Sequence, residues 1–175
     1  SALQQLGDLD LSCNRQLQEL PADLGTHLPA LRVLKIDQGC ASKQLLVALG
    51  PITRLHVRGD GGDRLPLCGQ AVSTLSSLRH LDITCTSINR PAGLSRLAGL
   101  EVLVLDRSRV QGTSPPPGSL AGLQQLRRLD LSRVDSSWGV LSAFLPVAAS
   151  AGPHLPHLAH LDLTMGLGAA AEFPT

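Results

Sequence analysis

The sequence predicts an α/β solenoid, with short stacked strands on one side and short helical turns on the other. Three observations predict it. The frame L-x-x-L-x-L, with Ile or Val sometimes replacing Leu, recurs seven times, starting at residues 6, 31, 52, 78, 100, 126 and 158. Successive copies therefore begin between 21 and 32 residues apart, the period of a stacked repeat and not of an independent domain. In most frames the last two apolar residues alternate with polar ones, as in Asp8-Leu9-Asp10-Leu11-Ser12, with Val33, Val102 and Val104 at outward positions. A period of two puts Leu9 and Leu11 on one face of a strand and their neighbours on the other. Between frames, leucines fall three residues apart, with Pro and Gly at the segment ends.

Taken in order, the frames are Leu6-Leu9-Leu11, Leu31-Leu34-Ile36, Ile52-Leu55-Val57, Leu78-Leu81-Ile83, Leu100-Leu103-Leu105, Leu126-Leu129-Leu131 and Leu158-Leu161-Leu163. Each gives a strand of a few residues that cannot bury its apolar side alone. Stacking the copies builds one continuous core and pairs each backbone with the next. Ser73–Arg79 and Ser119–Arg128 read as short convex turns of helix. Two segments break the rhythm. Gln111–Ser119, QGTSPPPGS, is a stiff turn whose prolines cannot join a ladder. Residues 136–156 widen the last spacing, and Val140, Leu141, Phe144, Leu145 and Val147 there would form the apolar side of a convex helix.

The first copy is the fullest, L-x-x-L-x-x-L-x-L-x-x-N from Leu3 to Asn14, and LDLSCNRQLQELPADLG at 9–25 adds the L-x-x-L-P step. This pattern resembles the leucine-rich-repeat family, and the resemblance covers nearly the whole chain. It implies an α/β leucine-rich-repeat solenoid, an arc with a parallel sheet on its concave face and helices or 3₁₀ turns outside. Residues 1–175 are expected to form a single domain of about seven repeats. No polar-faced cap is visible at either end, so the domain is expected to be a section of a longer protein. The resemblance also implies an asparagine ladder, whose side chains satisfy backbone groups inside the arc. The ladder position here reads Asn14, Gly39, Asp60, Thr86, Ser108, Val134 and Gly166. Gly39, Val134 and Gly166 cannot substitute, which predicts a patchy ladder with water or altered loops. Cys85 sits one position before that site, so no subtype is assigned.

Composition narrows function further. Net charge is +1, so no global field draws the chain to nucleic acid or an anionic membrane. Trp138, Phe144 and Phe173 are the whole Trp, Tyr and Phe set; the core is built from aliphatic layers, and the concave lanes hold no Trp, Tyr or Phe for base or sugar stacking. Cys13, Cys40, Cys68 and Cys85 form no C-x-x-C pair. Cys13 and Cys85 share a register three repeats apart, about 14 Å, too far to bridge. A Cys13–Cys40 bond is sterically open, but free thiols are the expectation. Neither Asn14 nor Asn89 begins a glycosylation sequon, and no signal or membrane-spanning run is present. These features suit an intracellular protein.

The outward residues of the strands form three concave lanes. The first is Asp8, Val33, Arg54, His80, Val102, Arg128 and His160. The second is Asp10, Lys35, His56, Asp82, Val104, Asp130 and Asp162. The third is Ser12, Asp37, Arg58, Thr84, Asp106, Ser132 and Thr164. Lane neighbours lie about 5 Å apart. Arg54, His56 and Arg58, with Lys35 and His80 beside them, make a basic point suited to an acidic partner; Arg is enriched at binding hot spots. Asp106, Asp130 and Asp162, with Asp82, make a second, acidic patch suited to a basic partner, and Arg128 is a further candidate contact. The competing expectation is lateral neutralisation, Arg58 by Asp37 and His56 by Asp82.

Other patterns carry less. His154, His157 and His160 recur every third residue, but Pro153 and Pro156 prevent a helix from aligning them on a metal. Arg58-Gly59-Asp60 spells an integrin-recognition tripeptide split between strand and loop, which favours coincidence. Residues 59–63, GDGGD, lack calcium-loop spacing. There is no nucleophile elbow, phosphate loop, zinc-protease motif or dinucleotide fingerprint. The sequence therefore predicts no enzyme, no cofactor and no metal. It predicts a scaffold that binds another protein through its concave face, alone or within a larger assembly. Alternatives are the ligand-sensing region of a receptor or immune-type protein, and the substrate-recognition part of an effector or ubiquitin ligase.

Overall fold

The computed structural model describes residues 3–60, 67–111, 119–120, 122–134, 143 and 155–164. Seven strands form the concave sheet: β1 (Asp8–Asp10), β2 (Val33–Asp37), β3 (Arg54–Arg58), β5 (His80–Thr84), β7 (Val102–Val104), β9 (Arg128–Asp130) and β10 (His160–Asp162). They pair in that order, all parallel. The register aligns the frames without slip: Leu9 faces Leu34, Leu34 faces Leu55, Leu55 faces Leu81, Leu81 faces Leu103, Leu103 faces Leu129, and Leu129 faces Leu161. A one-residue slip would turn each leucine onto the solvent face, so the buried side pins the register.

Behind the sheet the frame leucines stack into one continuous core, with Leu34, Leu55, Leu81, Leu103 and Leu129 fully buried. The expected aliphatic layering is what the structure shows. At the last strand the layer opens, and Leu161 and Leu163 are 44% and 37% exposed.

A second, three-stranded parallel sheet was not expected from the sequence. It contains β4 (Leu67–Cys68), β6 (Ser87–Asn89) and β8 (Arg109–Gln111). Leu67, Ile88 and Val110 align across it. Gln111, the first residue of the proline-rich turn, thus ends a strand; residues 112–118 lie outside the described set.

The convex layer carries α1 (Leu24–His27), α2 (Lys43–Ala48), α3 (Gly69–Val72) and a 3₁₀ segment, Pro91–Arg96. Ser42 caps α2, its hydroxyl accepting the Leu45 N–H at 3.1 Å. The two segments read as helical turns are tighter than α-helix. Leu75 N–H donates to Val72 O at 3.0 Å and Leu78 N–H to Leu75 O at 2.9 Å. Leu123 and Leu126 repeat this with Leu120 and Leu123. Leucines three apart match the i to i+3 closure of a 3₁₀ turn, in which such side chains eclipse. The helix expected within 136–156 falls outside the described residues, except Ala143, which is buried and accepts the Leu120 N–H at 2.8 Å.

Among the described residues the ladder is filled in part. Asn14 Nδ2 donates to Leu11 O at 3.0 Å and Ser12 O at 3.3 Å. Thr86 Oγ1 lies 3.3 Å from Val57 O and 3.1 Å from Thr84 O, and the Ser108 hydroxyl reaches Ile83 O. Beside Gly39, the buried Gln38 supplies polarity instead, donating to Ser87 Oγ at 3.3 Å. Val134 is buried and fills its place with apolar packing. Gly166 is not among the described residues.

The turn leaving each strand has its own geometry. Cys13, Cys85, Arg107 and Arg133, each just before the ladder position, are left-handed, with φ of 64°, 54°, 53° and 56°. That conformation aims their N–H groups across to the next repeat: Cys85 to Asp106 O, Arg107 to Ser132 O and Arg133 to Thr164 O. The Cys13 N–H instead meets Asp37 Oδ1 at 3.1 Å. All four cysteines are free thiols, as expected.

Candidate functional site

The concave lanes are set by the strand register. Lys35, His56 and Asp82 are direct neighbours across β2, β3 and β5, and Arg54 and His80 are neighbours in the adjoining lane. Arg128 and Asp130 lie on β9, and Asp106 lies just beyond β7.

Most of these charges are already spent on one another. Lys35 Nζ lies 3.1 Å from Asp10, Arg128 lies 3.3 Å from Asp130, and Arg133 lies 3.0 Å from Asp106. His56 Nδ1 lies 3.3 Å from Asp82 Oδ2. The expected pairing of Arg58 with Asp37 is not made. Asp37 gives Oδ1 to the Cys13 N–H, and its Oδ2 is buried without a hydrogen-bond partner. Arg54 and Arg58 are therefore exposed concave cations with no ion-pair partner among the described residues.

Arg58 also joins two clefts. One, of about 260 Å³, lies over β2, β3 and β5 and is lined by Lys35, His56, Asp82 and Thr84. The other, of about 340 Å³, lies past the strand ends between Cys13, Arg15, Asp60 and Cys85.

The aspartates of the second lane share a device that the sequence reading passed over. In Asp10-Leu11-Ser12, Asp82-Ile83-Thr84, Asp130-Leu131-Ser132 and Asp162-Leu163-Thr164, the carboxylate accepts the hydroxyl two residues on. Asp10, Asp130 and Asp162 also accept that residue's N–H, at 3.0, 3.0 and 2.9 Å. The signal L-D-[LI]-[ST] is present four times in the sequence. The bonds hold Asp10 at about 2, through the Ser12 hydroxyl, the Ser12 N–H and then Lys35. Asp162 is lowered in the same way by Thr164. Asp130, read as part of an acidic patch, is only 7% exposed and turned into these contacts.

His56, His80 and Asp82 converge most closely. The two imidazole rings are 4.9 Å apart, centre to centre, tilted by 33°. Burial lowers the His80 pKa, and the nearby His56 and Arg54 lower it further against the pull of Asp82. For Asp82, burial pushes the pKa up, but hydrogen bonds from His56 and Thr84 outweigh it and the net shift is downward. Neutral imidazole and ionised carboxylate thus stand side by side. The histidine run examined in the sequence contributes nothing to this cluster: His160 lies on β10, His157 is exposed in a turn, and His154 is outside the described residues.

No protein-family model and no curated protein sequence matches the chain. Solved structures do. A leucine-rich-repeat protein of Leptospira interrogans superposes with a TM-score of 0.57 over 79% of this chain, at 22% identity. The chain has the leucine-rich-repeat fold. An internalin from Listeria monocytogenes is also similar, with a TM-score of 0.49 and 14% identity over 83% of this chain. The leucine-rich-repeat arc described here spans 36% of the Leptospira protein's length and 44% of the internalin's. No helix among its described residues is long and apolar enough to cross a membrane.

Proposed function

We propose that this leucine-rich-repeat arc is a non-catalytic scaffold that binds an acidic segment of another protein on its concave face. The observation that carries the reading is the state of Arg54 and Arg58. They are the first and last residues of β3, exposed on the concave side, while Lys35 on β2 and Arg128 and Arg133 further along the arc are paired with carboxylates. Satisfied charges give little to a partner, since their attraction is already used; an unpaired guanidinium offers a carboxylate bidentate hydrogen bonds. Asp82, Asp106 and Asp130 then act in the reading as the groups that hold the basic neighbours in place. The proposal includes a place within a larger chain or assembly. The exposed Leu161 and Leu163, and the apolar cleft between Leu3, Leu6, Leu9, Leu24 and Leu28, are surfaces that inner repeats cover.

The test is affinity purification with mass spectrometry, comparing wild type with the double charge reversal Arg54→Glu/Arg58→Glu. Partners lost from the double variant but kept by the convex-face variant Lys43→Glu support the reading. An unchanged set of partners moves the interface off the concave face.

A further inference from the structure

We propose that His56, His80 and Asp82 form a binding site for a zinc-class divalent metal ion on the concave face. The proposal does not rest on the partner reading above, and its test requires no partner.

The site is assembled by the register. His56 and Asp82 face one another across β3 and β5, and His80 lies two residues before Asp82 on the same face of β5. One donor atom from each of the three lies within 4.8 Å of the other two. Donors held at about 2.0–2.1 Å by a tetrahedral ion are about 3.3 Å apart. His56 Nδ1 and Asp82 Oδ2 already stand at 3.3 Å. To close the set the His80 donor must move in from its place within 4.8 Å, and the metal must replace the proton in the His56–Asp82 hydrogen bond.

The donor chemistry selects the ion. Two imidazole nitrogens and one carboxylate suit zinc and its first-row neighbours, whereas calcium and magnesium take oxygen ligands. The Thr84 hydroxyl holds the other Asp82 oxygen at 2.5 Å, fixing the carboxylate as outer contacts do in metal sites. A metal ligand must be deprotonated, and the surroundings of His80 favour its neutral form. The nearby cations oppose a metal, but Lys35 and Arg128 are each paired with an aspartate, which leaves Arg54 and Arg58 as the uncompensated charges. Three protein ligands leave one tetrahedral position open toward the concavity, for water or a donor from a bound molecule.

The experiment is titration of the full 175-residue chain with zinc alone by calorimetry, and with cobalt(II) by absorption. The expected result is one site per chain and a tetrahedral cobalt spectrum lacking a sulfur-to-cobalt charge-transfer band. His56→Gln and His80→Gln should each weaken zinc binding by about tenfold or more. Lowering the pH from 7 to 5 should abolish binding, as protons displace the metal from imidazole. A charge-transfer band assigns the metal to the free thiols and overturns the proposal, as does equal affinity in both histidine variants. Should either variant fail to fold, histidine ring NMR of zinc-titrated wild type decides. Shifts confined to two of the six histidines support the site, and shifts of none or of all overturn it.

Discussion

Arg133 reaches back one repeat and places two guanidinium nitrogens on Asp106, Nε at 3.0 Å from one carboxylate oxygen and Nη2 at 3.1 Å from the other. The backbone of Arg133 is left-handed, with φ of 56°. The pair is partly solvent-exposed, so its coupling is expected to be small, about 1 kcal/mol or less. A double-mutant cycle of Asp106→Asn and Arg133→Gln in urea denaturation measures it. The coupling should fall further in high salt.

Neutral His80 ties stability to pH. Its folded pKa lies below the ordinary 6.5, so on acidification the unfolded chain takes up this proton first. The contribution is therefore full above pH 6.5 and is lost as the pH falls through the lower folded value. Equilibrium unfolding between pH 8 and 5 should show wild type losing more stability than His80→Gln. Parallel curves would exclude His80 as the source.

Register-equivalent leucines should differ sharply in cost. Leu103→Ala opens a cavity in a fully buried layer and is expected to cost about 2–5 kcal/mol. Leu161→Ala, at the same frame position but 44% exposed, should cost under about 1 kcal/mol. Denaturation midpoints of the two variants provide the comparison.

Gly59 has no room for a side chain. A Cβ there would lie 1.9 Å from the Cys85 carbonyl oxygen, in the backbone of the next repeat. Gly59→Ala must push two repeats apart and should destabilise by about 1–3 kcal/mol, at the upper end because backbone cannot yield as a side chain does. Thermal unfolding reads this directly.

Thr86→Val removes one hydroxyl from the buried ladder and preserves shape. Its contacts with the Val57 and Thr84 carbonyls are lost, with an expected cost of about 1–2 kcal/mol. Amide exchange should quicken locally, beginning with the Cys85–Arg109 turns.

The three concave lanes were legible before any coordinates because two periods define them. Side chains alternate every two residues along a strand, and the frame restarts once per repeat. Hence Lys35, His56 and Asp82 could be put side by side from residue numbers, and β2, β3 and β5 place them so. The left-handed turns at Cys13, Cys85, Arg107 and Arg133 were not legible, because none of these residues is the glycine that usually marks such a backbone. Tertiary bonds to the next repeat impose the conformation there. The second sheet was hidden because β4, β6 and β8 lie outside the leucine frame, each offering a single aligned apolar residue, Leu67, Ile88 or Val110.

The seven leucine frames by themselves determined the arc, its register and the residues that face its concavity, because burying each frame leaves one way to stack it. Tertiary structure alone decided which of those residues remain chemically available. Asp37 turned to the Cys13 backbone and left Arg58 unpaired, while Asp130 folded into Ser132 and Arg128. The His80 ring came to stand 4.9 Å from that of His56, with a donor atom of each within 4.8 Å of one on Asp82. Such outcomes depend on rotamers and on competition for single hydrogen bonds, which a periodic pattern does not encode.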